Sequence, residues 1–250
     1  MTENENLFDA MFSGVIGRDY DMLKLICPLA AEMSRQVGVA VGRYSRPSSR
    51  TLTVVELGGG TGITTLAILT SGQDLTVVSV DNEPAMQNQA KTHLKAWTEN
   101  HRLSFCGDDA LTALKSLESD SVDIVASAYT IHNFLDSYRA EVIDEIFRVL
   151  KPLGQFINGD RYGLDDISEH TRTVQQEISD YFKVLTRENR LDLLEHWIIH
   201  LFNDESQNHI MRETVSLRQL QDAGFTDIKL SHRMAVNALV TATKPETKTN

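Results

Sequence analysis

The chain has 250 residues, of which 41% are hydrophobic and 24% are charged, a composition typical of a globular protein. This composition excludes collagen-like, coiled-coil and wholly disordered chains. The net charge of −11 argues against direct binding to nucleic acid or to a membrane surface, because both are anionic. Two cysteines without a CxxC pair, and the lack of a signal or transmembrane segment, lead us to expect a cytoplasmic protein.

Strand and helix patterns alternate in the middle of the chain. Residues 1–50 are predicted to form helices and a polar linker, and residues 51–159 form the core. The predicted core strands are 51–57, 75–80, 103–106, 122–127 and 155–158, and the helices between them are 63–69, 84–97, 110–117 and 137–150. Five strands separated by helices predict a parallel sheet with helices on both faces.

The C-terminal part departs from this alternation. Residues 160–215 hold two amphipathic helices, whose apolar stripes are Val174, Ile178, Tyr181 and Leu185, then Leu191, Leu194, Ile198 and Leu201. Residues 216–243 are predicted to form a helix and an antiparallel strand pair at one edge of the sheet. Residues 244–250 are expected to form a tail that frays. We therefore expect an α/β fold, a Rossmann-like, doubly wound, mostly parallel seven-stranded sheet. The insert leaves the carboxyl end of the fifth strand, so it should roof the ligand site.

A glycine-rich loop, Glu56-Leu57-Gly58-Gly59-Gly60-Thr61-Gly62, joins the first strand to the first core helix. Such a loop allows close approach of the backbone to a ligand, and the following helix adds free N–H donors. The dinucleotide and phosphate-loop motifs both fail, because Ile63 and Thr65 replace the required glycines and no lysine follows. The Glu56 carboxylate would repel phosphate, so it favours a cationic ligand.

Two further acids stand at neighbouring strand ends. Asp81 follows the second strand, where a carboxylate can accept the ribose hydroxyls of an adenosine. Asp108 follows the third strand and can accept from an adenine amino group. With Glu56, these acids describe a site for a cationic nucleoside.

Five informative segments follow one another along the chain: VVELGGGTG, SVDNEPAM, FCGDDAL, VDIVASAYTIHNF and FRVLKPLGQF. In this order, they resemble the class I S-adenosylmethionine-dependent methyltransferases over residues 51–160. The last segment departs from the family pattern, with Leu153 in place of a glycine. The resemblance implies S-adenosylmethionine as cofactor and S-adenosylhomocysteine as product. The cofactor-binding residues expected from it are Glu56, Gly58, Gly60, Gly62, Asp81, Asn82, Met86, Asp108, Asp109 and Ala128.

Some of these residues have a purely structural alternative. Asp81 or Asn82 could cap the helix that begins at Pro84, and Asp109 could cap the helix at Ala110. The glycines could make a tight turn and nothing more.

Residues after the fourth and fifth strands are candidates for contact with the acceptor. His132 follows the fourth strand together with Tyr129, and we predict it as a general base. Arg161, between Asp160 and Tyr162, could bind the acceptor or form a surface ion pair. Tyr20 could close over the methyl group. The alternative for His132 and Tyr20 is core packing.

His196 and His200 are four residues apart on a predicted helix, with Asp204, Glu205 and His209 nearby. The metalloprotease signature H-E-x-x-H fails, because Trp197 takes the place of the glutamate. Histidines that face the acceptor or an interface are therefore favoured over a metal site, and no metal is predicted.

The expected function is methyl transfer to a small-molecule acceptor, driven mainly by proximity. Two alternatives stay open. One is an enzyme that uses S-adenosylmethionine without methyl transfer, such as a cyclase or a carboxy-S-adenosylmethionine synthase, which the N-terminal helices and the insert resemble weakly. The other is a non-catalytic partner subunit. The acceptor atom and a homodimer also stay open.

Overall fold

The computed structural model describes residues 28–44, 50–72 and 74–246. The strands are β1 Leu52–Leu57, β2 Leu75–Val80, β3 Leu103–Cys106, β4 Val122–Ala128, β5 Leu150–Arg161, β6 Thr226–Met234 and β7 Asn237–Thr243. The helices are α1 Pro28–Arg43, α2 Ile63–Ser71, α3 Pro84–His93, α4 Lys95–Glu99, α5 Ala110–Lys115, α6 Asp136–Val149, α7 Ile167–Arg187, α8 Leu191–Asp204 and α9 Glu213–Asp222. Among these described helices, none combines the length and the apolar composition needed to cross a membrane.

The strands form one seven-stranded sheet in the order β3-β2-β1-β4-β5-β7-β6. Strands β1 to β5 are parallel, whereas β7 runs antiparallel to both β5 and β6. This arrangement confirms the predicted Rossmann-like fold with an antiparallel pair at one edge. The register places Leu57 beside Val80 on one side and beside Ser127 on the other, so β1, β2 and β4 end at the same level.

Both faces of the sheet are buried, which explains why consecutive residues are apolar in its central strands, as Val54 and Val55 are in β1. One apolar cluster packs α6 against the sheet and includes Ile146 and Phe156. A second cluster, on the other face, includes Val37 of α1 and Leu66 of α2. All residues of β4 are buried.

Helices α7 and α8 pack against each other as a separate layer, which we call the roof. Its buried residues are Tyr181, Leu185, Leu194 and Leu201, joined by Ala30 of α1. The predicted amphipathic helices are therefore present. Leu191 is the exception, because it is the first residue of α8 and is 59% exposed. The apolar stripe of α8 begins at Leu194.

Two predicted boundaries were wrong. The helix expected over 84–97 is broken at Leu94, whose side chain is fully buried against Gly62 while the chain turns into α4. Strand β5 begins at Leu150 instead of residue 155. An irregularity at Leu153, where φ is +67°, interrupts its pairing with β4, and the Leu153 N–H donates to the Lys244 carbonyl instead.

Candidate active site

A cavity of about 1130 Å³ lies at the carboxyl ends of β1, β2 and β4 and reaches the inner face of α8. It opens where parallel α/β sheets bind ligands. Of the residues predicted from the sequence, those lining it are Gly58, Gly60, Asp81, Asn82, Met86, Asp108, Asp109, Ala128 and His132. The cavity therefore joins the predicted cofactor residues to the predicted base.

The glycine loop has a backbone that other residues rarely adopt. Gly58 has φ +74° and Gly62 has φ +97°. A Cβ atom at Gly58 would lie 2.0 Å from Thr130 Oγ1, so a side chain is excluded there by both conformation and space. The loop consequently presents bare backbone to the cavity.

Asp81 fixes the loop from the end of β2. Its Oδ2 accepts a hydrogen bond from the Gly60 N–H at 2.7 Å, and its Oδ1 accepts from the Glu83 N–H at 2.8 Å. The cap of α3 is Glu83, which accepts from Ala85 N–H, so neither Asp81 nor Asn82 has that role. Asp81 is thus oriented at the cavity wall with lone pairs left for a ligand.

Glu56 does not line the cavity. Its side chain is fully buried beneath the glycine loop, where Oε2 accepts from the Thr65 hydroxyl at 2.6 Å. Its Oε1 has no hydrogen-bond partner. Burial raises the pKa of Glu56 to about 7, against the lowering effect of hydrogen bonds from Thr65 and Ser79. Glu56 therefore lies behind the glycine loop instead of in the cavity predicted to hold the ligand.

The acids after β3 have different environments. Asp109 is the N-cap of α5 and accepts from the Leu111 and Thr112 N–H groups, as well as from the Tyr138 hydroxyl. Hydrogen bonds from Thr112, reinforced by Tyr138, lower the pKa of Asp109 to about 2. Asp108 is exposed at the cavity edge, as are Asn82 and Met86.

His132 lies in a short helical turn after β4 and is only 4% exposed. Its Nδ1 lies 2.5 Å from Oδ1 of Asp160, which is fully buried at the end of β5. Burial opposes ionisation of Asp160, but the adjacent His132 ring and three backbone and side-chain contacts hold its pKa below the usual value. An ionised carboxylate only accepts hydrogen bonds, so Nδ1 carries a proton, and in the neutral imidazole the lone pair is on Nε2.

The other ring nitrogen of His132 faces α8. Its Nε2 lies 3.8 Å from Asp204 Oδ2, and His200 Nε2 lies 3.7 Å from Asp204 Oδ1. Asp204 is buried, and its Oδ1 has no hydrogen-bond partner. His200 is half-buried and lines the main cavity together with His196 and Trp197.

Arg161 is buried, which corrects the surface ion pair considered for it. Its two terminal nitrogens donate to Glu177 at 2.8 and 3.1 Å, and one of them also donates to Glu205 at 3.0 Å. Adjacent residues of a strand point to opposite sides, so Arg161 turns to the roof while Asp160 turns to His132. Arg161 does not line the main cavity, and Tyr20 lies outside the described residues.

These contacts join into one buried ionic cluster. The carboxylates of Glu177, Asp204 and Glu205 lie around the Arg161 guanidinium. His132 links Asp204 to the carboxylate of Asp160, and His170 and His200 contact Glu205 and Asp204. Among the described residues of the cluster, Arg161 is the only permanent cation. While the three imidazoles are neutral, four carboxylates against one guanidinium leave an excess of negative charge.

The contacts of Asp160, Glu177 and Asp204 were not predicted from the sequence. A signal was nevertheless present for two of them. Glu177 lies three residues after Val174 on an apolar stripe, and Asp204 lies three residues after Leu201 on the other. An acid on the buried face of a helix needs a partner, so each marks a buried polar contact.

Comparisons with known proteins agree with this geometry. Residues 54–154 match a family model described as a methyltransferase domain. A carboxy-S-adenosyl-L-methionine synthase from Pseudoalteromonas atlantica is 25% identical over 234 residues, covering 92% of this chain and 90% of that protein. One from Sodalis glossinidius is 21% identical, covering 98% and 99%.

Solved structures show the same fold. An O-methyltransferase family protein from Burkholderia thailandensis has a TM-score of 0.63 at 17% identity, covering 98% of this chain and 62% of that one. A candidate S-adenosylmethionine-dependent methyltransferase from Methanococcus maripaludis has a TM-score of 0.60 at 18% identity, covering 94% of each chain. Residues 54–154 thus match a methyltransferase domain, and the chain has the fold of solved S-adenosylmethionine-dependent methyltransferase-like proteins.

Proposed function

We propose that this protein transfers a methyl group from S-adenosylmethionine to a hydroxyl of a small-molecule acceptor, with His132 as the general base. The observation that carries the proposal is the His132–Asp160 pair. His132 of this pair lines the same cavity as the glycine loop and Asp81, so the proposed base and the proposed nucleoside site share one chamber.

The cofactor half of the cavity suits a cationic nucleoside. Its described lining includes Asp81, Glu83, Asp108 and Asp109 but neither lysine nor arginine. Asp81 would accept the ribose hydroxyls, and the bare glycine backbone would lie against the amino-acid part of the cofactor. S-adenosylmethionine, when bound, supplies a methyl group already activated on a sulfonium.

The acceptor half contains the groups that act on the nucleophile. Asp160 holds the Nδ1–H of His132, which leaves Nε2 to take the proton from the acceptor hydroxyl as its oxygen gains the methyl group. Tyr129, Phe134 and Trp197 line this part of the cavity and exclude water. Holding the acceptor in line with the methyl group supplies most of the remaining acceleration.

A second function is favoured by the names of the relatives, which are carboxy-S-adenosylmethionine synthases. Their product, by its name, carries an added carboxylate, so a site for it needs a cation near the methyl group. The described lining of the cavity offers histidines only, and Arg161 is engaged by Glu177 and Glu205. Methyl transfer therefore fits the described lining better.

Mass spectrometry of the cofactor pool distinguishes the two functions. The protein is incubated with S-adenosylmethionine and a panel of small phenols and alcohols, in parallel with a panel of carboxylic acids. We expect S-adenosylhomocysteine and an acceptor heavier by one methylene. A cofactor product that retains its methyl carbon and gains a carboxylate would refute methyl transfer and establish the second function.

A further inference from the structure

Three side chains of the buried ionic cluster converge on one point beside the main cavity. His132 Nε2, His200 Nε2 and a carboxylate oxygen of Asp204 all lie within 4.8 Å of one another. Within the described ranges, no other group of histidine, cysteine and acidic side chains is arranged in this way. These residues come from the turn after β4 and from the last turn of α8, so tertiary packing brings them together.

The His132 ring is already oriented as a metal ligand. Metal-binding imidazoles usually donate their second N–H to a carboxylate, which fixes the tautomer and increases the basicity of the ligating nitrogen. Asp160 accepts from Nδ1 of His132 in this way, at 2.5 Å. Nε2 of the same ring lies 3.8 Å from Asp204 Oδ2, and the ring centroids of His132 and His200 are 6.3 Å apart.

Two further observations call for a cation at this point. Asp204 Oδ1 is buried without a hydrogen-bond partner, and the nearest cationic candidate for it is His200 at 3.7 Å. The ionic cluster also holds four carboxylates against the single guanidinium of Arg161, which lies 3.8 Å from the other Asp204 oxygen. A divalent ion would supply both the missing partner and the missing positive charge.

We propose that His132, His200 and Asp204 form a binding site for a divalent transition metal ion of the Zn²⁺ type. Imidazole ligands favour such ions over Mg²⁺ and Ca²⁺, which prefer oxygen. Ligand atoms about 2.1 Å from a tetrahedral Zn²⁺ lie about 3.4 Å apart, so the observed separations need to close by about 1.4 Å at most. His132 and His200 also line the main cavity, which gives a metal ion a path of entry to the site.

Binding at this site is independent of the reaction, but its effect on turnover rests on the proposed function. Nε2 of His132 cannot bind a metal ion and accept a proton from the acceptor at the same time. The ion would therefore inhibit methyl transfer. A chelator would restore the activity.

The test uses Co²⁺ and Zn²⁺ with the full-length, tag-free protein. We expect one equivalent of Co²⁺ to give the visible absorption of a low-coordinate nitrogen and oxygen site, and one equivalent of Zn²⁺ to displace it. His200→Gln should weaken binding at least tenfold, and Asp160→Asn should weaken it by about 10- to 100-fold, the range for a carboxylate that orients a ligand. His196→Gln removes a histidine one turn away on the same helix and is the matched control.

Thermal unfolding provides the second measurement. Zn²⁺ should raise the Tm of the wild-type protein and of His196→Gln, but not that of His200→Gln. Sub-stoichiometric Co²⁺ binding, or equal affinity in His200→Gln and the wild type, would overturn the site. If Zn²⁺ binds and turnover rises instead of falling, the site stands and the base role of His132 is refuted.

Discussion

The two halves of the cavity are built in different ways. In the cofactor half, carboxylates bond mainly to backbone N–H groups of nearby loops, as Asp81 does to Gly60 and Asp109 does to Leu111. In the acceptor half, side chains bond to one another across the fold, as His132 does to Asp160, 28 residues away, and Arg161 does to Glu205, 44 residues away. The first half depends on loop conformation and the second on tertiary packing.

This difference has energetic consequences. The acids that line the cofactor half of the cavity are exposed or half-buried, so removing one leaves the fold intact and mainly lowers affinity for the ligand. In the acceptor half, Asp160 and Asp204 are buried in the ionic cluster, and Glu177 and Glu205 are half-buried there. Removing one partner there leaves an uncompensated charge, which costs about 3–5 kcal/mol of folding free energy. Variants of the cofactor half should therefore change mainly the ligand affinity, whereas variants of the acceptor half should also change the folding free energy.

The largest expected effect is on turnover in the acceptor half. His132→Asn should lower kcat by about 10²–10⁴, the range for a general base, with S-adenosylmethionine affinity nearly unchanged. Rates are measured per folded molecule, together with Tm. The control is His101→Asn, at an exposed position with φ +58° that asparagine tolerates. A folded His132→Asn protein with wild-type kcat would leave positioning alone as the mechanism.

The next effect is on ligand affinity in the cofactor half. Asp81→Ala removes an acceptor of charge-assisted hydrogen bonds worth about 1.5–3 kcal/mol each, so S-adenosylmethionine affinity should fall by about tenfold to a few hundredfold. Titration calorimetry measures it, with Asp144→Ala on the exposed face of α6 as control. Asp81→Asn keeps one acceptor oxygen for the Gly60 N–H, so its S-adenosylmethionine affinity should lie between those of the wild type and Asp81→Ala. Unchanged affinity in Asp81→Ala would remove this residue from the site.

The same difference between local and long-range contacts explains how much of the fold and of the site could be predicted from the sequence. The glycine loop, Asp81 and the parallel sheet follow from short segments in which each residue is interpreted beside its neighbours. The ionic cluster does not, because no local pattern relates His132 to Asp204 or Arg161 to Glu177. The sequence identified His200 and Asp204 as close on one helix, but its histidine pair was His196 with His200. The fold instead brings His132 to His200.

The two helix and strand boundaries that were predicted wrongly, at Leu94 and at the start of β5, have a similar explanation. Lys151, Pro152 and Gly154 are typical of a loop, and nothing local shows that Leu153 and Gly154 exchange backbone hydrogen bonds with Lys244, about 90 residues further along the chain. Likewise, the turn at Leu94 depends on burial of its side chain against Gly62. Long-range contacts decide both positions.

Glu56 tests the comparison of the two halves, because it is a buried acid that lies beneath the glycine loop of the cofactor half. Its pKa of about 7 lies above the ordinary 4.5, so burial disfavours the ionised form. The resulting loss of folding free energy is absent below pH 4.5 and grows as the pH rises. It reaches a plateau above pH 7, at about 3 kcal/mol. Glu56→Gln should therefore gain stability relative to the wild type by about that amount between pH 4.5 and pH 8. Urea unfolding at both pH values measures it, and a constant difference would show that Glu56 stays ionised when folded.

The smallest expected effect separates the two roles considered for Asp109. As the N-cap of α5, it is worth about 1 kcal/mol against alanine, whereas asparagine is an equally good cap. Asp109→Ala should thus lower the free energy of unfolding by about that amount at pH 7, and Asp109→Asn should change it little. Its pKa is lowered to about 2 from 3.8, so the advantage over alanine is lost as the pH falls through this range. If Asp109→Asn keeps its stability but binds S-adenosylmethionine more than about threefold more weakly in calorimetry, the carboxylate also acts on the ligand, and the cofactor half extends from Asp81 to α5.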